Sequence, residues 1–278
     1  MPTPSEKSGR CLLTILIPVF NGEKYLDSLL KQFVRYYATK PDFFAGEKVE
    51  ILVVNNLSTD GTQAVAETIA PQLPMLRVIN ADTHVPTAEQ NVFRSFNWCN
   101  GEYTWVLGVD DIPCFASFSA IADILASRKY DFLQFNNLLI DEKMHTKSLP
   151  TPLLLKNELT ETTVVQLVSR CGFWFILAGM SGQVLRTDKV RDYDFERLLR
   201  STSIIYSHVT AYIEQYAAGR TALVNLPLVH YKITYRDISH WRNAAATLGV
   251  FDEFFWTTGF IRQISYLENK GIIGTSFL

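Results

Sequence analysis

The stretch LLTILIPVFNGEKYLDSLLKQFVRYY, residues 12–37, places a strand, a short polar turn and a helix directly after one another. Its first part is a continuous apolar run rich in β-branched residues, which is typical of a strand covered on both faces. From Glu23 onwards, apolar residues recur at helical spacing. A strand that leads at once into a helix is the unit from which parallel α/β sheets are built.

The same alternation continues to about Asn137. Further strands are predicted at residues 49–56, 75–80, 103–109 and 130–137, with helices between them at 59–70, 87–99 and 117–128. This order predicts an α/β fold with a Rossmann-like, mainly parallel sheet and helices on both faces. Beyond residue 137 the pattern is looser, with helices predicted at 163–171 and 203–218 and a strand at 222–233.

Composition excludes several classes of protein. The chain has 278 residues, 47% of them hydrophobic and 19% charged, which is an ordinary globular composition. A net charge of -2 without a basic tract argues against a nucleic-acid partner. The four cysteines are scattered and form no CxxC motif, and the polar N-terminal residues include no apolar signal region. A cytoplasmic location is therefore expected.

The segment FDEFFWTTGFIRQISYL, residues 251–267, is rich in aromatic residues but interrupted by charges. No transmembrane helix is predicted, because the densest apolar run, CGFWFILAGM at 171–180, is about half the length that a bilayer requires. Three docking sites fit the aromatic segment 251–267: the core of the domain, a second subunit of a homo-oligomer, or a membrane surface touched peripherally.

Polar, turn-forming residues follow three of the predicted strands, at 18–23, 55–62 and 108–111. The carboxyl ends of parallel strands share one edge of the sheet, and ligands of open α/β sheets bind there. The last group contains the adjacent carboxylates Asp110 and Asp111. Like charges at the mouth of a buried strand disfavour each other, so a bound cation is one explanation. An N-terminal cap for the following helix is the other.

Three motifs in this order and spacing resemble family 2 glycosyltransferases, which have the GT-A fold: LTILIPVFNGEKYLDSLL (13–30), VEILVVNNLSTDGT (49–62) and GEYTWVLGVDDIP (101–113). Within that family the abequosyltransferase-like branch, which transfers deoxysugars in O-antigen assembly, is the most similar. The resemblance implies inverting transfer of a sugar from a nucleotide-diphosphate donor to a glycan or lipid-linked oligosaccharide during surface polysaccharide biosynthesis. The donor nucleotide would be UDP, dTDP or CDP.

The resemblance also implies a site. Residues 1–278 would form one domain, with a nucleotide-sugar-binding half (1–137) and an acceptor-binding half with C-terminal helices (138–278). The implied contacts of the nucleotide sugar are Pro18, Phe20, Asn21, Glu23, Asn56, Ser58, Asn91, Val109, Asp110 and Arg236. Asp110 and Asp111 would hold Mn²⁺ or Mg²⁺, a hard cation that neutralises the diphosphate.

Two residues depart from the family's pattern. Gly108 stands where the Asp-x-Asp-Asp motif has its first Asp, and Asn56 stands where the second strand normally ends in an Asp that contacts the base. An amide both donates and accepts hydrogen bonds. The choice of base is therefore predicted to differ from that of relatives with the Asp.

An inverting transferase needs a general base for the acceptor hydroxyl. The family usually has a Glu-Asp pair that opens a helix before a glycine turn, and the register from Gly219 places Ser207 and His208 there. Imidazole, with an unperturbed pKa near 6.5, can act as a base at neutral pH, so His208 is the predicted catalytic base. The alternatives are a structural histidine at a helix start, with Glu214 or an acid of 188–196 as the base.

Two other functions stay open. A nucleotidyltransferase also binds nucleotide sugars on an α/β sheet, but it usually has a Gly-rich basic loop after its first strand, and PVFNGEKYL is not Gly-rich. A catalytically impaired sugar-nucleotide-binding protein of the same fold is compatible with Gly108, with Asn56 and with the missing carboxylate pair.

Overall fold

The computed structural model describes residues 11–45, 48–140, 146–148, 158–172, 176–204, 206–232 and 255–274. Its strands are β1 (Leu13–Val19), β2 (Val49–Asn55), β3 (Leu76–Asn80), β4 (Tyr103–Val106), β5 (Ile112–Pro113), β6 (Phe132–Ile140), β7 (Thr146–Ser148), β8 (Leu159–Thr162), β9 (Gln183–Arg186) and β10 (Thr221–Lys232). Its α-helices are α1 (Glu23–Thr39), α2 (Thr62–Ile69), α3 (Ala88–Ser95), α4 (Phe118–Ala126), α5 (Val164–Cys171), α6 (Phe195–Ser201), α7 (Ser207–Tyr216) and α8 (Phe255–Asn269).

The alternating strands and helices predicted for the first 137 residues are all present. Strand β4 is shorter than predicted and ends at Val106, so Gly108 to Asp111 belong to the connection that follows it. The helix predicted at 203–218 is α7, which begins only at Ser207. Four short strands were not predicted: β5 in the first half, and β7, β8 and β9 in the second.

One sheet, with the order β3-β2-β1-β4-β9-β6-β10-β5, organises the described part of the chain. The neighbours β3, β2, β1 and β4 are parallel, as predicted. Strand β9 lies antiparallel between β4 and β6, and β6 pairs in parallel with β10. The parallel half therefore meets the second half of the chain along β9.

Two apolar layers cover the sheet, one on each face. Alternate residues of β1 enter different layers, because successive side chains of a strand point to opposite faces: Ile15 and Ile17 join one cluster and Leu16 joins the other. Helices α1, α2 and α4 cover the first face, and α3, α5, α6, α7 and α8 cover the second. The predicted cover of helices on both faces is confirmed.

The register of the parallel strands fixes where the polar turns lie. Val19 at the end of β1 pairs with Asn55 at the end of β2, and Val106 at the end of β4 pairs with Leu16. Helix α1 starts only four residues after β1, so the turn between them stays at the sheet edge. The three polar turns consequently share one edge of the sheet.

Candidate active site

A cavity of about 590 Å³ lies beyond the carboxyl ends of β1, β2 and β4. Its volume falls within the range of small-molecule sites, roughly 300–1,000 Å³. The structure brings most of the predicted contact residues together in its wall: Pro18, Phe20, Asn21, Asn56, Asn91, Val109, Asp110 and Asp111. This cavity is the candidate active site.

A second cavity, of about 620 Å³, lies at the opposite end of the strands and is lined in part by Cys11, Glu50 and Arg77. Its charged groups are used internally, since Arg77 Nη2 lies 2.8 Å from Glu50 Oε1. Ligands of open α/β sheets bind at the carboxyl ends of the strands. The topology therefore favours the first cavity, although the two are similar in size.

Two of the predicted nucleotide contacts, Glu23 and Ser58, join the first two turns to each other. The Asn21 N–H donates to Ser58 Oγ at 2.9 Å, and the Gly61 N–H donates to a Glu23 carboxylate oxygen at 3.0 Å. Neither side chain lines the cavity. The structure thus places both in the scaffold of the site, and their contact with a nucleotide stays a prediction.

The Asp-Gly pair of the STDGT turn has a structural explanation. A Cβ on Gly61 would lie 2.6 Å from the Glu23 carboxyl carbon, so a larger residue would displace the Glu23 carboxylate from the Gly61 N–H. Asp60 accepts hydrogen bonds from the backbone N–H groups of Glu23 and Thr62. Desolvation opposes ionisation of Asp60, but the hydrogen bonds from the Thr62 hydroxyl and these N–H groups outweigh it and lower the pKa of Asp60.

Asn56 lines the cavity, but its amide is bound to the protein. Its Nδ2 donates to the Val85 carbonyl at 2.8 Å, and its Oδ1 accepts from the Val85 N–H at 2.9 Å and from Arg94 at 2.6 Å. Asn56 is only 3% exposed. The amide therefore holds the loop after β3 against the end of β2, and an aspartate could not make the bond to the Val85 carbonyl.

An aromatic pair, Phe20 and His84, stands at the cavity. The two ring centroids are 4.6 Å apart with a tilt of 49°, and Phe20 is 49% exposed. His84 Nδ1 lies 3.1 Å from the Asn56 carbonyl oxygen. A carbonyl only accepts, so Nδ1 carries the hydrogen and neutral His84 presents Nε2 as an acceptor. Sequence analysis assigned His84 no role, because a histidine in a loop has no distinguishing pattern.

Asp111 is held by a residue from the other half of the sheet. Ser181 Oγ donates to Asp111 Oδ2 at 2.6 Å and accepts from the Gly108 N–H at 2.8 Å. A Cβ on Gly108 would lie 2.7 Å from that same Asp111 oxygen. The first Asp of the family's motif would therefore require the Asp111 carboxylate to move, whereas Gly108 leaves it in contact with Ser181.

The wall of the cavity contains two adjacent carboxylates. Among the described residues that line it, none is lysine or arginine, whereas Asp110 and Asp111 are both present. The predicted contact Arg236 lies outside the described residues. The described part of the chain contains no cluster of three or more His, Cys, Asp or Glu side chains suited to a metal. Two carboxylates still fit Mg²⁺ or Mn²⁺, which take their other ligands from water and substrate phosphates.

The second half of the chain contributes Met180, Ser181 and Tyr231 to the wall of the cavity. The Tyr231 hydroxyl donates to the Gly179 carbonyl at 2.7 Å, and a Cβ on Gly179 would lie 2.4 Å from that hydroxyl. Burial raises the pKa of Tyr231 well above its usual value, and nearby Asp111 adds to the effect. A neutral tyrosine of β10 therefore packs against the loop that contains Gly179.

His208 lies at the start of α7, as its register predicts, but it does not line the cavity. Its side chain is 2% exposed. Its Nε2 lies 3.2 and 3.1 Å from the carbonyl oxygens of Leu177 and Ala178, and its Nδ1 lies 3.6 Å from Glu89 Oε1. Both ring nitrogens thus face protein groups, and the role of His208 as a base stays a prediction.

Glu214, a weaker alternative for the base, anchors the last helix. Its carboxylate accepts from the hydroxyls of Tyr193 at 2.6 Å and Tyr266 at 2.9 Å, and from Lys270. It does not line the cavity. Burial opposes ionisation of Glu214, but the hydrogen bonds from Lys270 and the two tyrosines outweigh it and lower the pKa of Glu214.

This cluster predicts an acid-sensitive anchor. The pKa of a glutamate in the unfolded state is about 4.3. A carboxyl group whose pKa is lower in the folded state stabilises the fold at any pH above this unfolded-state pKa. The contribution is lost as the pH falls through the folded pKa. We expect Glu214→Gln to lower the free energy of unfolding at neutral pH by about 1–3 kcal/mol. Its deficit should shrink in acid, as measured by denaturant unfolding over a pH series.

Glu67→Gln is the control, because Glu67 is exposed and accepts a hydrogen bond from Gln63, one turn earlier in α2. That variant should match the parent protein at every pH. A deficit of Glu214→Gln that is equally large at neutral pH and well below pH 4 would contradict the assignment.

The C-terminal aromatic segment reaches the core. Ile264 and Leu267 of α8 are 1% and 0% exposed and belong to the second apolar layer. The described part of α8 therefore docks on the core of the domain, which is one of the three docking sites considered. No helix within the described ranges is long and apolar enough to cross a membrane.

Residues 14–181, more than half of the chain, match the sequence profile of glycosyl transferase family 2. The chain belongs to glycosyltransferase family 2. Among curated proteins, this family 2 chain is 25% identical over 117 residues to the abequosyltransferase RfbV of Salmonella typhimurium (strain LT2). That match covers 42% of the chain and 33% of RfbV, so the chain spans about a third of this relative's length.

Solved structures show the same fold for the family 2 chain. S. aureus TarS 1–349 in complex with UDP superposes with a TM-score of 0.62 at 17% identity, over 86% of the chain and 64% of TarS 1–349. Glucosyl-3-phosphoglycerate synthase from Mycobacterium tuberculosis was solved with Mn²⁺, UDP and glucosyl-3-phosphoglycerate. It superposes with a TM-score of 0.51 at 17% identity, over 89% of the chain and 83% of the synthase. These likenesses confirm the predicted GT-A fold.

Proposed function

We propose that this chain is a metal-dependent, inverting glycosyltransferase that uses a nucleotide-diphosphate sugar. The observation that carries the proposal is the place of two adjacent carboxylates, Asp110 and Asp111, in the wall of the cavity beyond the carboxyl ends of the strands. A diphosphate cannot approach two carboxylates favourably without a cation. A divalent ion between them resolves this conflict.

The nucleoside end of the donor is proposed to lie between Phe20 and the loop that Asn56 holds. Phe20 offers an exposed ring face for base stacking. TarS has been solved with UDP and with UDP-GlcNAc, and the mycobacterial synthase with UDP and Mn²⁺, which supports a UDP-like donor. UDP, dTDP and CDP sugars are the proposed donors.

Asp110 and Asp111 are the residues proposed to hold Mn²⁺ or Mg²⁺. When bound, the ion supplies Lewis-acid stabilisation of the negative charge that develops on the leaving diphosphate. Ser181 orients Asp111 by donating a hydrogen bond to one carboxylate oxygen. The other residues of the wall exclude water and position the sugar.

His208 is proposed as the base that takes the proton from the acceptor hydroxyl. For this step Nε2 must release the hydrogen that faces the carbonyl oxygens of Leu177 and Ala178, so that its lone pair can accept the proton of the acceptor hydroxyl. Ala178 adjoins the part of the cavity wall that starts at Met180. The base would then act from the side opposite the nucleotide turns.

The acceptor is proposed to be a growing surface glycan or a lipid-linked oligosaccharide at the cytoplasmic face of the membrane. The similarity to RfbV, an abequosyltransferase, supports this class. The C-terminal half, with Tyr231 and the Gly179–Gly182 turn, would bind it. A peripheral membrane contact through residues 251–267 and a homo-oligomer stay predictions.

Asn56 is expected to influence the choice of base through the loop it holds. In Asn56→Asp the bond to the Val85 carbonyl is lost and a charge is added beside Arg94, so the loop after β3 should shift. One lost hydrogen bond is worth about 0.5–1.5 kcal/mol, or roughly a twofold to tenfold change in the affinity ratio among UDP, dTDP and CDP. Calorimetric titration with the three nucleotides measures it.

The matched control is Asn80→Asp, because Asn80 ends the neighbouring β3 and contacts Asn55 outside the cavity wall. Its three affinities should keep the ratios of the parent protein. If Asn56→Asp also keeps those ratios, Asn56 is a turn residue without influence on the base.

The proposed function is tested by supplying UDP-, dTDP-, CDP- and GDP-linked sugars with Mn²⁺ and measuring the released nucleoside diphosphate. A glycosyltransferase releases it slowly to water and faster with an acceptor, whose product should have the inverted anomeric configuration. A nucleotidyltransferase would instead form the nucleotide sugar from sugar 1-phosphate and a nucleoside triphosphate. An impaired binding protein would bind a donor without releasing diphosphate.

A further inference from the structure

A buried acid lies beside His208, and it comes from a different part of the chain. Glu89, in the first turn of α3, is 2% exposed and places Oε1 3.6 Å from His208 Nδ1. His208 itself is 1% exposed, and its buried Nδ1 has no hydrogen-bond partner. The two residues are far apart in the sequence and meet only because α3 packs against α7.

The contacts of the other ring nitrogen limit where the protons can be. Nε2 faces the carbonyl oxygens of Leu177 and Ala178. A carbonyl oxygen only accepts, so Nε2 must carry a hydrogen. If His208 is neutral and its hydrogen is on Nε2, Nδ1 directs a lone pair at the Glu89 carboxylate. Two acceptors facing each other in a buried place are costly unless a proton lies between them.

We propose that Glu89 and His208 share one proton between Oε1 and Nδ1, and that Glu89 is a positioning residue for His208. The proton lies on the imidazole, which then donates to the carboxylate, or it exchanges rapidly between Nδ1 and Oε1. Both arrangements satisfy Nε2 and Nδ1 together. The 3.6 Å separation is longer than a hydrogen bond, and a small movement of the Glu89 side chain closes it.

The neighbouring titratable groups do not compete for this proton. Tyr206 and Tyr212 pack their rings 6.0 and 5.8 Å from the His208 ring. Burial raises the pKa of both phenols, and the charge of Glu89 raises it further. Both tyrosines are therefore neutral at working pH, and the shared proton belongs to the acid and the imidazole.

The pair also accounts for a gap in the sequence pattern. The start of α7 has no Glu-Asp pair, and Glu89 brings a carboxylate to the same place from α3. A carboxylate on Nδ1 fixes the orientation of an imidazole and stabilises its protonated form. This catalytic consequence rests on the proposed function, whereas the shared proton depends only on the contacts.

The shared proton is tested by nitrogen NMR of ¹⁵N-histidine-labelled protein without ligands. The chain has five histidines, so His208→Gln assigns the His208 signals. We expect Nδ1 of His208 to have a protonated or exchange-averaged shift in the parent protein. In Glu89→Gln the Nδ1 signal should move to the chemical shift of an unprotonated nitrogen, because the glutamine amide donates a hydrogen bond to Nδ1. Circular dichroism checks that the variant folds.

Glu196→Gln is the matched control. Glu196 also lies in the first turn of a helix, and it accepts from Gln90 at 2.7 Å rather than contacting a histidine. It should leave the His208 signals unchanged. If Glu89→Gln leaves them unchanged as well, or if the parent protein already shows an unprotonated Nδ1, the shared proton is overturned.

The positioning role is tested by kinetics on the same variants. We expect Glu89→Gln to lower kcat at least about tenfold with the donor KM unchanged, and Glu89→Asp to recover part of the loss because it keeps the carboxylate. A kcat equal to that of the parent protein would overturn the positioning role. If the parent protein transfers no sugar from any donor, the proposed function fails, and the NMR result still decides whether the proton is shared.

Discussion

His208→Ala is expected to lower turnover by roughly 10²–10⁴-fold, the usual contribution of a positioned general base. Donor affinity should barely change, because His208 does not line the cavity in which the nucleotide is proposed to bind. Turnover and donor affinity should respond separately because of the geometry. The imidazole contacts Leu177, Ala178 and Glu89, none of which belongs to the turns that are proposed to bind the nucleotide. Steady-state kinetics and calorimetric titration of the donor measure the two effects independently.

A buried alanine leaves a void, so a second variant separates folding from chemistry. His208→Gln keeps an amide that can donate to the carbonyl oxygens of Leu177 and Ala178, but it cannot act as a base. It should fold like the parent protein and lose turnover to a similar extent. His208→Asp should recover part of the activity, since it restores the carboxylate typical of the family. A loss of less than about tenfold in both variants, or a parallel loss of donor affinity, would exclude His208 as the base.

Asp110→Asn is expected to lower turnover by at least about 100-fold and to abolish the effect of Mn²⁺ on nucleotide binding. A Lewis-acid metal is worth several kcal/mol of transition-state stabilisation, and each 1.36 kcal/mol is about tenfold in rate. Asp110 lies in the cavity wall beside Asp111, so its neutral amide removes half of the carboxylate charge offered to the ion. Kinetics over a range of Mn²⁺ concentrations measure both losses.

Asp111→Asn is the informative comparison for this prediction. Ser181 already donates to Asp111 Oδ2, and an amide oxygen can accept the same bond. We therefore expect a smaller loss, which additional Mn²⁺ relieves in part. Asp123→Asn, on the exposed side of α4, should have no effect. Equal nucleotide binding by Asp110→Asn and the parent protein in the presence of Mn²⁺ would refute the metal assignment.

The parallel half of the fold was predictable because each element there has a strong local pattern. Apolar runs such as β1 and β2 are buried on both faces, and α1 repeats its buried residues at helical spacing. Strand β9 was not predictable, since its four residues fit between β4 and β6 only through long-range pairing. Strand β5, with two residues, has no local signal at all.

The place of the site was predictable, whereas the roles of its side chains were only partly so. Strand order and turn chemistry locate Asp110, Asn56 and Phe20 in one cavity. No pattern in the sequence indicates that Glu23 and Ser58 hold two turns together, because both partners are backbone N–H groups. The meeting of Glu89 with His208 likewise depends on how two distant helices pack.

The central claim is that this cavity binds a nucleoside diphosphate together with a divalent cation. The most direct test is thermal unfolding of the parent protein with UDP, dTDP, CDP and GDP, each with and without Mn²⁺. A ligand at about a hundred times its dissociation constant stabilises a fold by roughly 2.7 kcal/mol. The account predicts a stabilisation of this size for at least one of UDP, dTDP and CDP, in the presence of Mn²⁺ only, and its loss in Asp110→Asn. No stabilisation by any nucleotide with Mn²⁺, or an equal stabilisation without the ion, would contradict it.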